Sequence, residues 1–402
     1  MNPTHARPRW RIRTALRLAP LAITAFMQIS WLENVLLSPD PQATARRDWF
    51  AFFETGHRLL AGDLGAIYPH AFDAGYLWLY PPYCIYLTAP LGLLPEWWAY
   101  AVCVAVEITA VAAALVLLRS ALPAPPAAHT TAAVFVLASM PFNTTVAIGQ
   151  VSGVLALLLA ASLWAWRRRR TLTAGLIISL LFVKPNLAVF FVAAGLLARQ
   201  WRVVAGMGMG GVGMVLASLP LGLERWHEYL HTSREYVGVV QSRTLMWKQL
   251  TMYAFWRGAI GDTSAHTAVV AASLASVVLL GALTSLAWWR RRDSEAALPR
   301  LFGLTVLLAI GANMYVYFYD GLLLLVPGVV WWVWRDRYRS RSRHAAIGAC
   351  VLGILVVGYV RIFLTSEGVS WAGALIAIWL VCEAADLLAA SPPAAAPARQ
   401  AA

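Results

Sequence analysis

Charge is scarce in this chain, so the residues able to do chemistry stand out by their company. Between positions 46 and 63, Arg46, Arg47, Asp48, Glu54, His57, Arg58 and Asp63 crowd among Trp49, Phe50, Phe52 and Phe53. A carboxylate in a partly dry setting can take a proton, and Asp48 and Glu54 are the two candidates. On a helix the six residues between them turn by about 240°, so they cannot serve one site together. The only lysines are Lys184 and Lys248. Lys184 lies between two short apolar runs. A lysine at mid-membrane costs about 2.5–3.5 kcal/mol to insert and usually has a task, such as holding an anion. The alternative is a side chain snorkelling to the interface.

Two polar breaks and one loop complete the set. Asn143 to Gln150, "NTTVAIGQ", interrupts apolar runs; the amides of Asn143 and Gln150 suit hydroxyl-bearing ligands or interhelical hydrogen bonds. Asp320 follows Tyr315, Tyr317 and Tyr319. It suits a ligand, a basic partner such as Lys184, or a helix N-terminus whose dipole favours a carboxylate. The stretch 223–265 interleaves Arg225, His227, His231, Arg234, Arg243, Lys248 and Arg257 with Trp226, Tyr229, Tyr236, Trp247 and Tyr253. Such a mix fits a lipid phosphate and a sugar face, and equally an ordinary interfacial loop. His227 and His231 would share a helix face, but no third ligand and no H-E-x-x-H accompany them, so no metal is expected. No Asp-x-Asp, Walker or dinucleotide-binding glycine pattern is present, and no cofactor is called for. The glycines at 206, 208, 210, 211 and 213 lie inside an apolar run and fit close helix packing.

The elements that must position these residues belong to a membrane. The 402 residues are 60% hydrophobic and 13% charged, with a mean hydropathy of +0.64; soluble domains run nearer about 45–50% and about 25%. The net charge of +13 does not imply a nucleic-acid partner, because the arginines sit in short clusters at the ends of apolar runs, as the positive-inside rule requires. Cys84, Cys103, Cys350 and Cys382 lie in or beside apolar runs without metal spacing and read as packing residues. The basic stretch from Arg7 to Arg17 and the apolar run from Leu18 read as an uncleaved first helix. A signal peptide cleaved after Ala43-Thr44-Ala45 is the alternative, but Ala45 lies far beyond the run and many spans follow.

Spans are expected at about 17–37, 97–118, 130–147, 150–166, 171–183, 186–198, 203–222, 266–289, 300–318, 320–334, 345–363 and 371–390, with a further piece at 80–94 flanked by Pro81, Pro82 and Pro95 and broken by Pro90. The arginine clusters put both termini in the cytoplasm and place 38–79, 223–265, Asn313 to Asp320 and the loop around Glu367 outside. All thirteen pieces together give one crossing too many, so either 80–94 or 130–149 is re-entrant or partial. That is tolerable only where it is buried in protein or lines a cavity. The expected fold is therefore all-α and polytopic, with about 12 transmembrane helices in one domain, 1–390, and a disordered Ala/Pro tail, 391–402. Residues 45–61 read as a helix capped by Thr44 and stopped by Gly62, lying in the headgroup plane.

The order of "RDWFAFFETGHRLLAG", "YPPYCIYLTAPLGLLP", the stretch from "GQVSGVLALLLAASLWAWRRRR" through "LLFVKPNLAVFF" to "LLARQWR", and "NMYVYFYDGLLLLVPG" resembles glycosyltransferase family 87 over roughly residues 40 to 335. These are bacterial polyprenol-phosphate-mannose-dependent α-mannosyltransferases of GT-C architecture. The resemblance implies an inverting enzyme of the inner membrane, working on its periplasmic side. Its donor is a sugar, by family mannose, on a polyprenyl phosphate, its acceptor a glycolipid or glycan, and an Asp on the first outer loop is the catalytic base. Asp48 matches that Asp by position. The reaction also needs the departing phosphate steadied, for which Lys184, Lys248, Arg243 and His227 are the candidates. Gln150, Asn143, Tyr80, Tyr319 and Asp320 are the candidate substrate contacts. A lipid or solute transporter is the competing reading; it would place polar residues mid-span in related halves, whereas here they gather at the outer ends.

Overall fold

A chain this apolar must satisfy its backbone internally, and helices do so one segment at a time. The computed structural model describes residue 26 and residues 48–68, 77–242, 248–261, 266–363 and 369–389, the side chains of 237–242 and 356–363 excepted. Among the described residues there are helices and no strands; the nearest approach to a sheet is a single antiparallel bridge between Gln249 and Tyr317. The fold is all-α and membrane-embedded, as expected. In order the helices are α1 (Asp48–Ala61), α2 (Ile85–Gly92), α3 (Glu96–Ala121), α4 (Pro126–Leu137), α5 (Met140–Ile148), α6 (Ser152–Arg167), α7 (Thr171–Ser179) and α8 (Pro185–Leu197). They continue with α9 (Trp201–Ser218), α10 (Leu223–Ser242), α11 (Met252–Ile260), α12 (His266–Arg291), α13 (Leu298–Gly311), α14 (Leu325–Val333), α15 (Arg341–Phe363) and α16 (Trp371–Ala389). Short 3-10 turns extend α7 to Val183, extend α9 to Leu221 and lead into α14 from Phe318.

Among the described residues, four helices are long and apolar enough to span: α3, α9 with its extension, α12 and α16. The pair α4 and α5, bent by 53°, makes a fifth if it is one span. Five shorter apolar helices, α6, α7, α8, α13 and Phe318–Val333, occupy other expected spans. The span expected at 17–37 lies outside the described residues except for Phe26, as do Thr44, the loop around Glu367 and the tail 391–402.

The two stretches suspected of being partial both depart from a straight span. In 80–94 the only α-helix is α2, with eight residues and so about 12 Å of rise against a hydrocarbon core of about 30 Å. It lies against α1: a side chain at Gly56 would strike the Thr88 carbonyl, and one at Gly92 would strike the backbone of Gly56. Gly206 and Gly210 of α9 likewise press on Leu172 and Ser179 of α7, the close packing expected there, while Gly208 and Gly213 face open space. α3, α9 and α12 bury only 28%, 22% and 22% of their apolar windows, which fits a lipid-facing periphery. α13, by contrast, is buried from Pro299 to Gly311 and forms the centre. All four cysteines are free thiols.

Candidate active site

The site is built where the start of α1, with Asp48 as its first residue, meets the end of α5. α1 stops where the sequence placed its stop: Gly62 takes a positive φ of 75°, the Gly62 N–H reaches the Leu59 carbonyl and the Asp63 N–H that of Arg58. This is a Schellman closure, which glycine adopts without a Cβ penalty. α5 ends the same way, with Gly149 at φ 66° and the Gln150 N–H on the Thr145 carbonyl. Gly149 has a second reason to lack a side chain, since a Cβ there would lie 2.4 Å from the Cβ of Trp49. Trp49 therefore rests on the α5–α6 turn, braced by the Tyr100 ring at 5.3 Å. Its neighbour Asp48 is thereby delivered to Gln150.

Gln150 is buried, and its amide is oriented by what each partner can do. The Tyr80 hydroxyl donates to Gln150 Oε1 at 3.0 Å, and Gln150 Nε2 donates to Asp48 Oδ2. A carboxylate only accepts, so the NH₂ must face Asp48. Tyr80 is itself clamped between the rings of Phe52 and Trp78, at 5.1 and 4.9 Å, and its carbonyl accepts from the Tyr68 hydroxyl at 2.8 Å.

Two residues beyond Gln150 the same turn meets the second carboxylate. Ser152 Oγ donates to Asp320 Oδ1 at 2.9 Å, and Lys184 Nζ donates to the same oxygen at 2.6 Å. The Lys184 and Asp320 side chains are 14% and 6% exposed, so this pair lies largely out of water. The ammonium also sits 5.0 Å from the Tyr319 ring centroid, a cation–π contact. Pro185 opens α8 directly after Lys184, and Asn186 is cross-tied to Asn313 through its amide and its carbonyl, both at 3.1 Å. Of the expected roles of Asp320, the structure realises partnership with Lys184.

Asp48 is different. It is partly exposed, and among the described residues no cation lies within ion-pair distance of it. Burial holds its carboxyl above the ordinary carboxylate range. The Gln150 hydrogen bond opposes this most, then Lys184; Asp320 pushes the same way as burial, and Lys248 pulls down. The charge of Asp48 is also felt at Tyr80, Tyr236, Tyr317 and Tyr319, and the Tyr236 and Tyr317 hydroxyls are 2.8 Å apart. A half-open carboxylate, a caged lysine and an aromatic surround are thus gathered around one turn.

Asp48, Tyr80, Gln150, Lys184, Tyr319 and Asp320 come together, and Lys248, exposed, lies within electrostatic reach of Asp48. Asn143 is buried in α5, its amide donating to the Ser139 carbonyl at 3.2 Å. His227 is exposed on α10, and Arg243 lies outside the described residues. Glu54 is engaged elsewhere, accepting from Arg58 Nε at 2.7 Å, while Arg58 Nη1 donates to the Ala66 carbonyl at 2.8 Å. Two residues that sequence reasoning passed over belong to this assembly. Ser152 directly follows a motif already singled out. Glu107, buried in α3, accepts the Gly153 N–H at 2.6 Å; its signal was a lone carboxylate inside an apolar run.

No curated protein gives a significant match to the chain. The model of glycosyltransferase family 87 matches residues 78–311, a stretch that holds Tyr80, Gln150, Ser152 and Lys184 and excludes Asp48 and Asp320. With more than half of its residues matched, the chain belongs to glycosyltransferase family 87 and is a glycosyltransferase of the membrane.

Proposed function

We propose that this glycosyltransferase takes its sugar, mannose by the family resemblance, from a polyprenyl phosphate. It transfers the sugar with inversion to a hydroxyl of a lipid or glycan acceptor at the periplasmic face of the bacterial inner membrane. Asp48 accepts the acceptor's proton as the oxygen attacks the anomeric carbon. The bond from that carbon to the phosphate oxygen breaks, and the departing phosphate meets Lys184, with Lys248 near. A positioned base contributes about 10²–10⁴-fold, and a cation where charge develops adds to it. An ammonium has three donors, and Asp320 takes one, which aims the lysine without exhausting it.

The observation that carries this reading is the pairing of a half-open carboxylate with a caged lysine on one turn, Gln150 to Ser152. An apolar cavity of about 280 Å³ supports the lipid donor. It runs between α4, the Phe318–Val333 segment and α15, is lined by Phe135, Leu322, Trp331, Val351 and Leu355, and reaches Gly321, the residue after Asp320. A prenyl chain there ends at the residue next to Asp320, the partner of Lys184.

The test is transfer by purified protein in liposomes, offered labelled polyprenyl-phosphate mannose or a nucleotide-linked mannose. Transfer from the lipid phosphate alone, with the anomeric configuration inverted in the product, is expected. Transfer from the nucleotide sugar alone, or retention of configuration, overturns the reading.

A further inference from the structure

We infer that Glu107 is a positioning residue for the site, acting on Asp48 and Asp320 through the turn that holds both; this rests on the reading of Asp48 as the base. α6 starts at Ser152, preceded by Val151, and has no side-chain cap of its own. The first N–H groups of a helix have no partner within it, and a Ser, Thr, Asn or Asp just ahead normally supplies one. Here the cap comes from another helix. Glu107, 3% exposed near the middle of α3, accepts the N–H of Gly153 at 2.6 Å.

The approach is so close that a side chain at residue 153 is excluded. A Cβ on Gly153 would lie 2.5 Å from Glu107 Oε2 and 3.0 Å from the Glu107 carbonyl. A carboxylate inside an apolar span is costly, and a cap at residue 151 would satisfy the same N–H at lower cost. What a local cap cannot do is tie the turn to α3. Glu107 grips the backbone directly after Ser152, while the side chains of Gln150 and Ser152 reach Asp48 and Asp320. The turn is thereby held from α3 at the point where it meets both carboxylates.

The experiment compares E107Q and E107A in the full-length protein, in liposomes with polyprenyl-phosphate mannose. Glutamine keeps an acceptor oxygen, so E107Q is expected to retain kcat and the acid limb of the pH–rate profile. E107A frees the turn. Its kcat falls about tenfold to a hundredfold, the scale of small misplacements of reacting groups, with donor KM little changed. Its acid limb moves to higher pH, because Asp48 loses the hydrogen bond that favours its ionised form. In a Q150A background, E107A adds no further limb shift. An E107A protein with parental kcat and limb overturns the inference. So does a loss of folded protein alike in both variants, with the surviving protein fully parental. The titration of the Asp48 carboxyl, read as the infrared C=O band absent from D48N, tests the same coupling without turnover. It moves up in E107A and stays in E107Q if Glu107 positions the site, even if the parent proves silent with this donor and the proposed function falls.

Discussion

The two ends of α13 carry two buried ionic clusters, and they are built to opposite ends. At its start Arg300 pairs with Glu383 and, at 3.0 Å, with Asp386, while Arg343 stands 3.8 Å from Asp386. Tyr338 donates to Glu383 at 2.6 Å, and its ring lies 4.1 Å from the Arg300 guanidinium carbon. The charges balance two against two, and the backbone N–H groups of Arg339 and Ser340 donate to Asp386 as well. About 20 Å along the helix, Asn313 ties to Asn186 beside Lys184. There Lys184 forms a close pair with Asp320, and among the described residues Asp48 has the Gln150 amide and a partly open face. The first cluster fastens α13 and α16 to the α14–α15 connection and the start of α15. The second leaves the Asp48 carboxyl raised above its ordinary range by burial, the condition that the proposed base requires.

Substitutions that separate fastening from reacting sharpen this contrast. The largest effect is expected from D48N, which keeps the size and removes the base: transfer falls by about 10²–10⁴-fold at unaltered protein level, measured as labelled product. K184A comes next, with a loss of about 10²–10³-fold and a lower melting temperature, since Asp320 is left buried without its cation. R300A inverts the pattern. Stability drops by about 3–5 kcal/mol, read by denaturation, while the protein that remains folded transfers at the parental specific rate. Q150A leaves the fold intact and moves the acid limb of the pH–rate profile upward, because the Gln150 hydrogen bond is the strongest force opposing the burial of Asp48. Smallest is E54Q. The Glu54–Arg58 pair is 21% and 24% exposed, so its loss changes stability by under about 1 kcal/mol and leaves transfer alone.

Much of this was legible in the chain. Apolar runs and arginine clusters gave the membrane class, Gly62 marked the end of α1, and scarcity singled out Lys184. The polar break before Gln150 was visible because it interrupts apolar runs. Three things were hidden, each for a physical reason. The prolines of 80–94 marked it as suspect, but its packing on α1, which accompanies a helix of only eight residues, was not readable from the run itself. The tie of Tyr80 to Gln150 joins residues 70 apart in sequence, and no local pattern encodes that. Glu107 works on the backbone N–H of Gly153, 46 residues later, and a lone glycine does not say which distant carboxylate it makes room for. The expected donor-side set divides for a similar reason. Lys184 is fixed by a helix start and a carboxylate, whereas His227 sits exposed on α10, where neighbouring residues are engaged in holding that helix: Arg225 donates to the Leu64 carbonyl and pairs with Glu228 at 2.8 Å.

The pH dependence of kcat/KM for transfer from polyprenyl-phosphate mannose, measured side by side for the parent and D48N, bears most directly on the central claim. Desolvation raises the Asp48 carboxyl, and a base works only when ionised. Activity must therefore fall as pH drops through a value above the ordinary aspartate pKa of about 3.9. The account predicts that raised limb in the parent and its absence from whatever residual rate D48N retains. A D48N protein with the parental rate and the same limb contradicts it, and the proton is then taken elsewhere.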